Sequence, residues 1–298
     1  MKPAPFEYYE PATIEEALAL LQRYGGDAKI LAGGQSLVPL MNFRLSRPAA
    51  LVDINRIGAL AYIEEENGRL RLGAMTRQRA IERSHLVGSR VPLLLEATLL
   101  VGHPTIRNRG TFGGSLVHAD PSAEYPAVIA ALEGELVVRG PAGERLVRPE
   151  EFFVGYLTTS LAPDEILIEA RLPVPPAGSG WSFEEFSRRH GDFAIVGIAA
   201  LLMGEGDRCR KALLATAGSG PTPQRLRAVE DMLEGASLVE RTFQDAGALA
   251  AELVDPESDI HASADYRRHL TRVLTVRALR RAAGRIGWAV TSPQPVPR

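Results

Sequence analysis

Cysteine is nearly absent: Cys209 is the single one in 298 residues. It can form no intrachain disulfide, and one thiolate cannot hold a structural zinc or an iron–sulfur cluster, which take several. The lack of a disulfide framework fits a reducing compartment. An excess of one charge is missing too. The 34 Lys+Arg against 36 Asp+Glu leave a net charge of −2, so no global basic field points to nucleic acid. No apolar run reaches the ~18 residues needed to cross a bilayer. The opening stretch, Met1-Lys2-Pro3-Ala4-Pro5-Phe6-Glu7, lacks the apolar core of a signal peptide. These features lead us to expect a cytoplasmic protein with no transmembrane segment. Catalytic signatures are scarce as well. The chain has no G-x-G-x-x-G, no P-loop, no H-E-x-x-H and no G-x-S-x-G. His85, His103, His118, His190, His261 and His269 show no metal-ligand spacing. His103 and His118 read as polar loop residues, not as catalytic bases. No acid/base pair stands out, so no catalytic residue and no metal ligand is expected.

What is present is ordinary globular material. Hydrophobic residues make up 45% and charged residues 23%, which excludes wholesale disorder. The length suits two domains. Residues 13–24 predict an amphipathic helix, with Thr13 and Glu16 at capping-box spacing and Gly25-Gly26 as the stop. Strands are expected at 29–32 and 51–54, with a short helix at 36–42. Alternation over 61–74 about Asn67-Gly68 predicts a hairpin. Thr76 is expected to cap a helix to about Ser84, and Pro92 to open another. Residues 102–122 carry little periodicity and predict a long irregular segment, of the kind that is functional or disordered. A helix at 125–133, paired strands at 134–140 and 144–148, and a strand at 165–172 follow. Pro173, Pro175, Pro176, Gly178 and Gly180 mark a linker. Runs at 181–189, 194–203 and 208–217 then predict an antiparallel meander. Thr222-Pro223 is expected to open a helix to about Leu233, ahead of helices at 239–254 and 264–284. The last stretch, 291–298, holds three prolines and is expected to be mobile.

Two loops echo one another: Ala32-Gly33-Gly34-Gln35-Ser36 and Thr111-Phe112-Gly113-Gly114-Ser115. Consecutive glycines let successive N–H groups point inward as an anion nest, and no Cβ blocks a phosphate. The following Ser adds a donor, and a helix start adds its dipole. Two such nests could grip the two phosphates of a dinucleotide, although each alone is also a common tight turn. Arg107-Asn108-Arg109 could donate to phosphate or tie the loop to itself. Asp120-Pro121 reads first as a turn.

These loops and their surroundings resemble the flavin-binding medium subunit of molybdenum hydroxylases, the carbon monoxide dehydrogenase/xanthine dehydrogenase family. The matching stretches are FEYYEPATIEEALALL (6–21), ILAGGQSLVPLMNFRLSRPAALVDINRI (30–57), TIRNRGTFGGSLVHADPSAEYPA (105–127), GYLTTSLAPDEIL (155–167) and SRRHGDFAIVGIAA (187–200). The resemblance spans about 6–235 and implies an α+β chain. It would have a vanillyl-alcohol-oxidase-type (PCMH-type) FAD-binding fold of two α/β subdomains, plus a C-terminal domain of antiparallel meander and helices. The expected boundaries are 1–175 for the FAD domain (subdomains about 1–57 and 58–175), 176–290 for the C-terminal domain and 291–298 for the tail.

The resemblance also implies FAD as cofactor. Leu31, Ala32, Gly33, Gly34, Gln35, Ser36 and Leu37, with Thr111, Phe112, Gly113, Gly114 and Ser115, would line its pyrophosphate. Val101, Leu167 and Phe193 would lie near the flavin ring, and Asp120 is a further candidate contact. Glu124 stands where the family usually has an Asp for the adenosine ribose. Glu184 and Glu185 stand where relatives often carry a lysine, so no cation–flavin contact is assigned there. The implied function is electron transfer from iron–sulfur clusters of a partner, through FAD, to an external acceptor. The implied partners are a small iron–sulfur subunit and a large molybdopterin subunit, in a dimer of heterotrimers. Iron–sulfur clusters and molybdopterin would sit in those partners only. Two other readings remain: a stand-alone FAD oxidoreductase, and a nucleotide-binding module without redox chemistry. The final helix carries Arg267, Arg268, Arg272, Arg277, Arg280, Arg281 and Arg285. It is either a solvated, salt-bridged surface or a docking face for an acidic partner.

Overall fold

The computed structural model describes residues 1–205 and 208–287. The mobile tail expected at 291–298 lies outside the described residues. The chain begins with β1 (Glu7–Tyr9), α1 (Ile14–Tyr24), β2 (Ala28–Leu31), α2 (Leu37–Asn42) and β3 (Ala50–Asp53). A hairpin follows, β4 (Ile63–Glu66) and β5 (Arg69–Gly73), then α3 (Gln78–Arg83), α4 (His85–Arg90), α5 (Pro92–Leu100), α6 (Pro104–Arg107), α7 (Phe112–His118) and α8 (Glu124–Ala131). The middle of the chain holds β6 (Glu135–Gly140), β7 (Gly143–Val147), α9 (Pro149–Phe152), β8 (Phe153–Gly155), β9 (Thr158–Thr159) and β10 (Ile166–Pro173). Last come β11 (Gly180–Phe186), β12 (Val196–Glu205), β13 (Arg208–Ala217), β14 (Gln224–Arg225), α10 (Arg227–Leu233), α11 (Glu240–Leu253) and α12 (Ala264–Arg285).

Contacts divide the chain into two compact units. The first holds Met1–Ser89, Gly102–Asp120 and Glu133–Pro173. The second holds 90–101, 121–132 and the described residues from Val174 to Gly287. Two stretches that precede residue 175 therefore pack with the C-terminal elements.

The first unit contains a parallel sheet, in the order β1-β3-β2, and an antiparallel one, β4-β5-β10-β6-β7. Parallel neighbours need crossovers, and α1 is one of them. Its cap forms as the spacing predicts: Glu16 N donates to Thr13 Oγ1 (3.1 Å) and Ala12 N to Glu16 Oε2 (2.7 Å). Ala17, Leu18 and Leu21 go down onto the sheet, in one core with Ala50, Val52, Met75 and Ile166. The β4–β5 turn has Asn67 at φ +51° and Gly68 at φ +71°, the conformation that closes a two-residue hairpin. The central strand β10 buries Glu169, whose oxygens accept from Tyr62, from Arg71 (2.7 Å) and from Arg171 (2.5 Å).

The second unit is built on the antiparallel sheet β11-β12-β13-β14. One face packs on α10, α11 and α12 through Val196, Ile198, Leu214, Phe243, Leu274 and Leu279. Helices α5 and α8 also pack on this sheet. Tyr125 of α8 is fully buried and its hydroxyl lies 3.1 Å from Thr98 Oγ1 of α5.

Three sequence expectations need correction. Thr76 does not cap a helix: its hydroxyl donates to Tyr62 O (2.7 Å), and α3 starts at Gln78. Residues 102–122 are not irregular throughout, because Pro104–Arg107 and Phe112–His118 are helical. Both helices are too short to show a period. Thr222-Pro223 opens no helix. The backbone at Gln224–Arg225 pairs with Ala215 and Thr216 instead, and α10 begins at Arg227.

The arginines of α12 are mostly spent within the unit. Arg267 is buried and donates to Ile195 O (2.5 Å), Gly218 O (2.9 Å) and Asp259 Oδ2 (2.7 Å). Arg268 meets Asp255, Arg280 meets Glu240, and Arg281 and Arg285 both meet Glu96. Replacing Arg267 by Met would leave two buried carbonyls without a donor. Such a loss costs about 1–3 kcal/mol. At roughly 2–4 °C per kcal/mol for a chain of this size, the thermal midpoint should fall by several degrees. Arg272→Met, on the exposed side of α12, should leave it unchanged in the same melt.

Candidate functional site

Strand β2 ends at Leu31, and five residues later the chain must run into α2. Gly34 makes the turn at φ +72°, in the left-handed region that glycine favours. Gly33 serves a different purpose. A Cβ on it would lie 2.5 Å from Arg109 O and 2.8 Å from Gly110 Cα. The first glycine loop is therefore pressed against the main chain leading into the second. A Cβ on Gly114 would lie 3.7 Å from Ala32 Cβ, so the two loops are neighbours.

They are not equivalent as nests. In the second loop the backbone donors already have acceptors. Phe112 N donates to Thr76 O (2.9 Å), Gly113 N to Ala74 O (2.9 Å), Gly114 N to Thr111 Oγ1 (3.1 Å) and Ser115 N to Thr111 O (3.2 Å). In the first loop the N–H groups of Gly33, Gly34, Gln35 and Ser36 have no acceptor among the described residues. The reading of two anion nests reduces to one nest, with the second loop as its support.

A cavity of about 350 Å³ opens on the first loop. Leu31, Ala32, Gly33, Gly34 and Gln35 line it, with Val38 and Pro39 of α2. Asp53, Asn55 and Arg109 complete its wall. Asp53 is buried and both of its oxygens are engaged: Tyr8 OH donates to Oδ2 (2.6 Å) and Asn55 N to Oδ1 (2.9 Å). That bond to Asp53 raises the Tyr8 phenol well above its ordinary pKa, so it stays a donor. Asn55 Nδ2 reaches Ala32 O (2.9 Å) and holds the loop from behind. The cavity thus offers unpaired N–H donors, a guanidinium, no uncommitted carboxylate and no Cβ over the glycines. Such a set fits the phosphate portion of a nucleotide.

Ser36 and Leu37 continue the loop into α2. Leu167 is buried on β10 opposite Val138, and Asp120 is half-buried just past α7. Val101, Glu124 and Phe193 belong to the second unit. Val101 closes α5 and is buried, Glu124 is the buried first residue of α8, and Phe193 is 57% exposed. Glu184 accepts from Arg281 (2.9 Å), while burial pushes Glu185 up to about 7. Burial also lowers the half-buried His118 imidazole below its usual range, which favours its neutral form.

Sequence reasoning missed Val38, Pro39, Asp53 and Asn55 as lining residues. The available signal was an Asp-x-Asn directly after a strand, where side chains fold back on the main chain. The three-residue run 107–109 divides its work. Arg107 is buried and donates to Glu82 Oε2 (2.9 Å) and Gly102 O (3.0 Å), so it ties the loop, whereas Arg109 lines the cavity. Among the described residues no group of three or more His, Cys, Asp or Glu could hold a metal ion, and no helix is long and apolar enough to cross a membrane.

Comparison with known proteins gives the same answer from outside. Residues 4–175 match the FAD binding domain in molybdopterin dehydrogenase, and residues 181–282 the CO dehydrogenase flavoprotein C-terminal domain. The chain is 44% identical to caffeine dehydrogenase subunit beta of Pseudomonas sp. (strain CBB1), over 96% of this chain and 97% of that one. It is 42% identical to the 6-hydroxypseudooxynicotine dehydrogenase complex subunit alpha of Paenarthrobacter nicotinovorans, with the same coverage of 96% and 97%. A solved structure of carbon monoxide dehydrogenase from Hydrogenophaga pseudoflava superposes with a TM-score of 0.94 at 39% identity, over 96% of this chain and 99% of that one. Fold and matches define an FAD-binding flavoprotein of the oxidoreductase class. The chain belongs to the family of FAD-binding medium subunits of molybdenum hydroxylases, which includes those of carbon monoxide and xanthine dehydrogenases. FAD is its cofactor, and electron transfer within a dehydrogenase complex is its role.

Two outcomes are expected here. Gly33→Ala should push the first loop off the 109–110 backbone and lower the FAD content of the purified protein severalfold, read as the ratio of flavin to protein absorbance. The second concerns pH. Arg107's hydrogen bonds, outweighing burial, hold the Glu82 carboxyl at about 2, below the ~4.3 of an unfolded Glu. Its contribution to stability is full above ~4.3 and is lost as pH falls from there towards about 2. Glu82→Gln should therefore be less stable than the wild type at neutral pH, with the gap closing across that acid window in denaturant titrations.

Proposed function

We propose that this chain works in the cytoplasm as the medium subunit of a heteromeric molybdenum hydroxylase. Its partners would be a small iron–sulfur subunit and a large molybdopterin subunit, assembled as a dimer of heterotrimers. The observation that carries the reading is the nest at Gly33–Ser36, with its unpaired N–H groups and the second glycine loop packed behind it. When bound, FAD supplies electron acceptance from an iron–sulfur donor and delivery to an external acceptor.

The chain's own residues bind and orient. Residues Leu31 to Leu37 would hold the pyrophosphate through main-chain donors, and Thr111 to Ser115 would fix that loop's position. Glu124 and Asp120 would serve the polar parts of the cofactor, and Val101, Leu167 and Phe193 its ring. The chain's one thiol supports the placement of the clusters elsewhere: Cys209 is 1% exposed and burial pushes it up to about 11, so it stays protonated. Substrate choice would likewise lie in another chain. Relatives at 44%, 38% and 33% identity are named for caffeine, carbon monoxide and glyceraldehyde. Names that different, on relatives alike over nearly their whole length, support a substrate site outside this subunit.

The test is the visible spectrum of the tagged chain, purified gently from its host. Flavin bands overlaid on broad iron–sulfur absorbance, with two further polypeptides, are expected. Flavin bands with no partner under mild cross-linking would favour a stand-alone oxidoreductase. A colourless protein that takes up no added FAD would overturn the flavin assignment.

A further inference from the structure

Arg77 differs from every other buried or half-buried arginine of the first unit. Arg69, Arg71, Arg79, Arg107, Arg139 and Arg171 each meet a carboxylate within 4 Å. Arg77 is half-buried and has no such partner among the described residues. Its Nη2 donates to Asn55 Oδ1 (2.5 Å) and its Nη1 to Arg109 O, both neutral acceptors. Asp53 acts on it only at longer range. A half-buried charge without a counter-ion is costly, and the second cation nearby adds to that cost. Burial, and after it the repulsion from Arg109, push the Arg77 guanidinium below the usual arginine range.

Its connections explain where a counter-ion would come from. By its backbone Arg77 bridges Thr111 of the second loop. By its side chain it grips Asn55, which in turn holds Ala32 O of the first loop. The same guanidinium holds the carbonyl of Arg109, against which Gly33 is packed. Arg109 itself is exposed, lines the cavity and shows no side-chain hydrogen bond among the described residues.

We infer that Arg77 and Arg109 form a cationic pair whose counter-ion is the pyrophosphate of the bound dinucleotide. Arg109 is the contact residue at the cavity wall. Arg77 is a positioning residue that clamps the two glycine loops and adds charge behind them. The inference rests on FAD being the ligand of this cavity. It goes beyond the main-chain nest by assigning the electrostatic part of the affinity to two named side chains.

The test uses the full chain, stripped of flavin and titrated with FAD by fluorescence quenching at several sodium chloride concentrations. Arg109→Gln removes a group with no structural partner, so the fold stays intact. Its dissociation constant should rise about tenfold or more, the loss of one charge-assisted hydrogen bond. Its dependence on salt should be shallower than that of the wild type, because less charge is left to screen. Arg77→Lys keeps the charge and loses the fork; it should weaken FAD but retain the wild-type salt dependence. Arg77→Gln should lose both. Inorganic pyrophosphate should compete with FAD in the wild type and fail to do so in Arg109→Gln. If Arg109→Gln binds FAD within twofold of the wild type with the same salt dependence, the cationic-pair inference is overturned. If Arg77→Lys and Arg77→Gln are equally weak and both keep the wild-type salt dependence, Arg77 is a brace alone and the charge role fails. A wild-type chain that takes up no FAD would instead overturn the cofactor reading on which the inference rests.

Discussion

The absence of a side chain at Gly33 sets the distance between two stretches of main chain that are far apart in sequence. With a Cβ at 2.5 Å from Arg109 O, those stretches could not touch. Several features depend on that contact. The first loop is backed by a second loop whose donors are already spent on Thr76, Ala74 and Thr111. That second loop is therefore rigid, and the N–H groups of the first are held open against it. An anion site built from main chain needs this arrangement, because backbone donors cannot be re-aimed by rotating a side chain. The same contact explains the side-chain network around it. Asn55 holds the carbonyl of Ala32, the far side of the peptide that carries the unpaired Gly33 N–H, and Arg77 holds the carbonyl of Arg109, against which Gly33 packs. Fixing the carbonyl fixes the plane of the peptide, and so the direction of the donor.

Around this contact the first unit spends charge on rigidity. Glu169 sits on the central strand with three donors on two oxygens, and Arg107 is buried against Glu82. Buried ion pairs add little net stability over an apolar equivalent, yet breaking one is costly. Their effect here is to hold β10 and the 102–110 segment in one arrangement. Exact position matters more than stability for a chain whose task is to keep a redox cofactor at a set distance from its electron donor. Arg77 departs from this pattern, since it carries charge in the same unit without a carboxylate.

Much of this was legible in the sequence, for identifiable reasons. The capping box at Thr13 and Glu16, the Asn67-Gly68 turn and the alternating strands of the meander are local signals, and each formed where expected. The family was legible because five motifs recur in order, and the match over 4–175 and 181–282 agrees with it. What could not be read was non-local. Nothing near Thr76 announces that Tyr62 O will take its hydroxyl, and nothing near Gln224 announces that β13 needs a fourth strand. The difference between the two glycine loops was hidden for the same reason. Their sequences are alike, but only one lies against acceptors supplied by the 74–76 segment. Asp53 falls inside the strand expected at 51–54 and Asn55 just beyond it, and the role of each exists only once Tyr8 and Ala32 are beside them.

The arginine-rich helix shows how a composition signal is used up by a fold. Seven arginines on α12 suggest a docking face for an acidic partner. Five of them are committed to carboxylates of the same unit, and Arg285 also lies 4.7 Å over the Trp181 ring. Only Arg272 and Arg277 show no such partner among the described residues. Two exposed cations five residues apart, about 1.4 turns of helix, do not make a strong electrostatic surface, since exposed charges are screened within about 10 Å at ordinary salt. The helix is better understood as the element that closes the second unit. Arg267 satisfies carbonyls on two turns of the sheet, while Arg281 and Arg285 reach Glu96 on α5. Any surface this chain offers to another subunit must then be sought in shape and apolar contact, not in a field from α12. That fits a chain of near-zero net charge, −2 over its whole length.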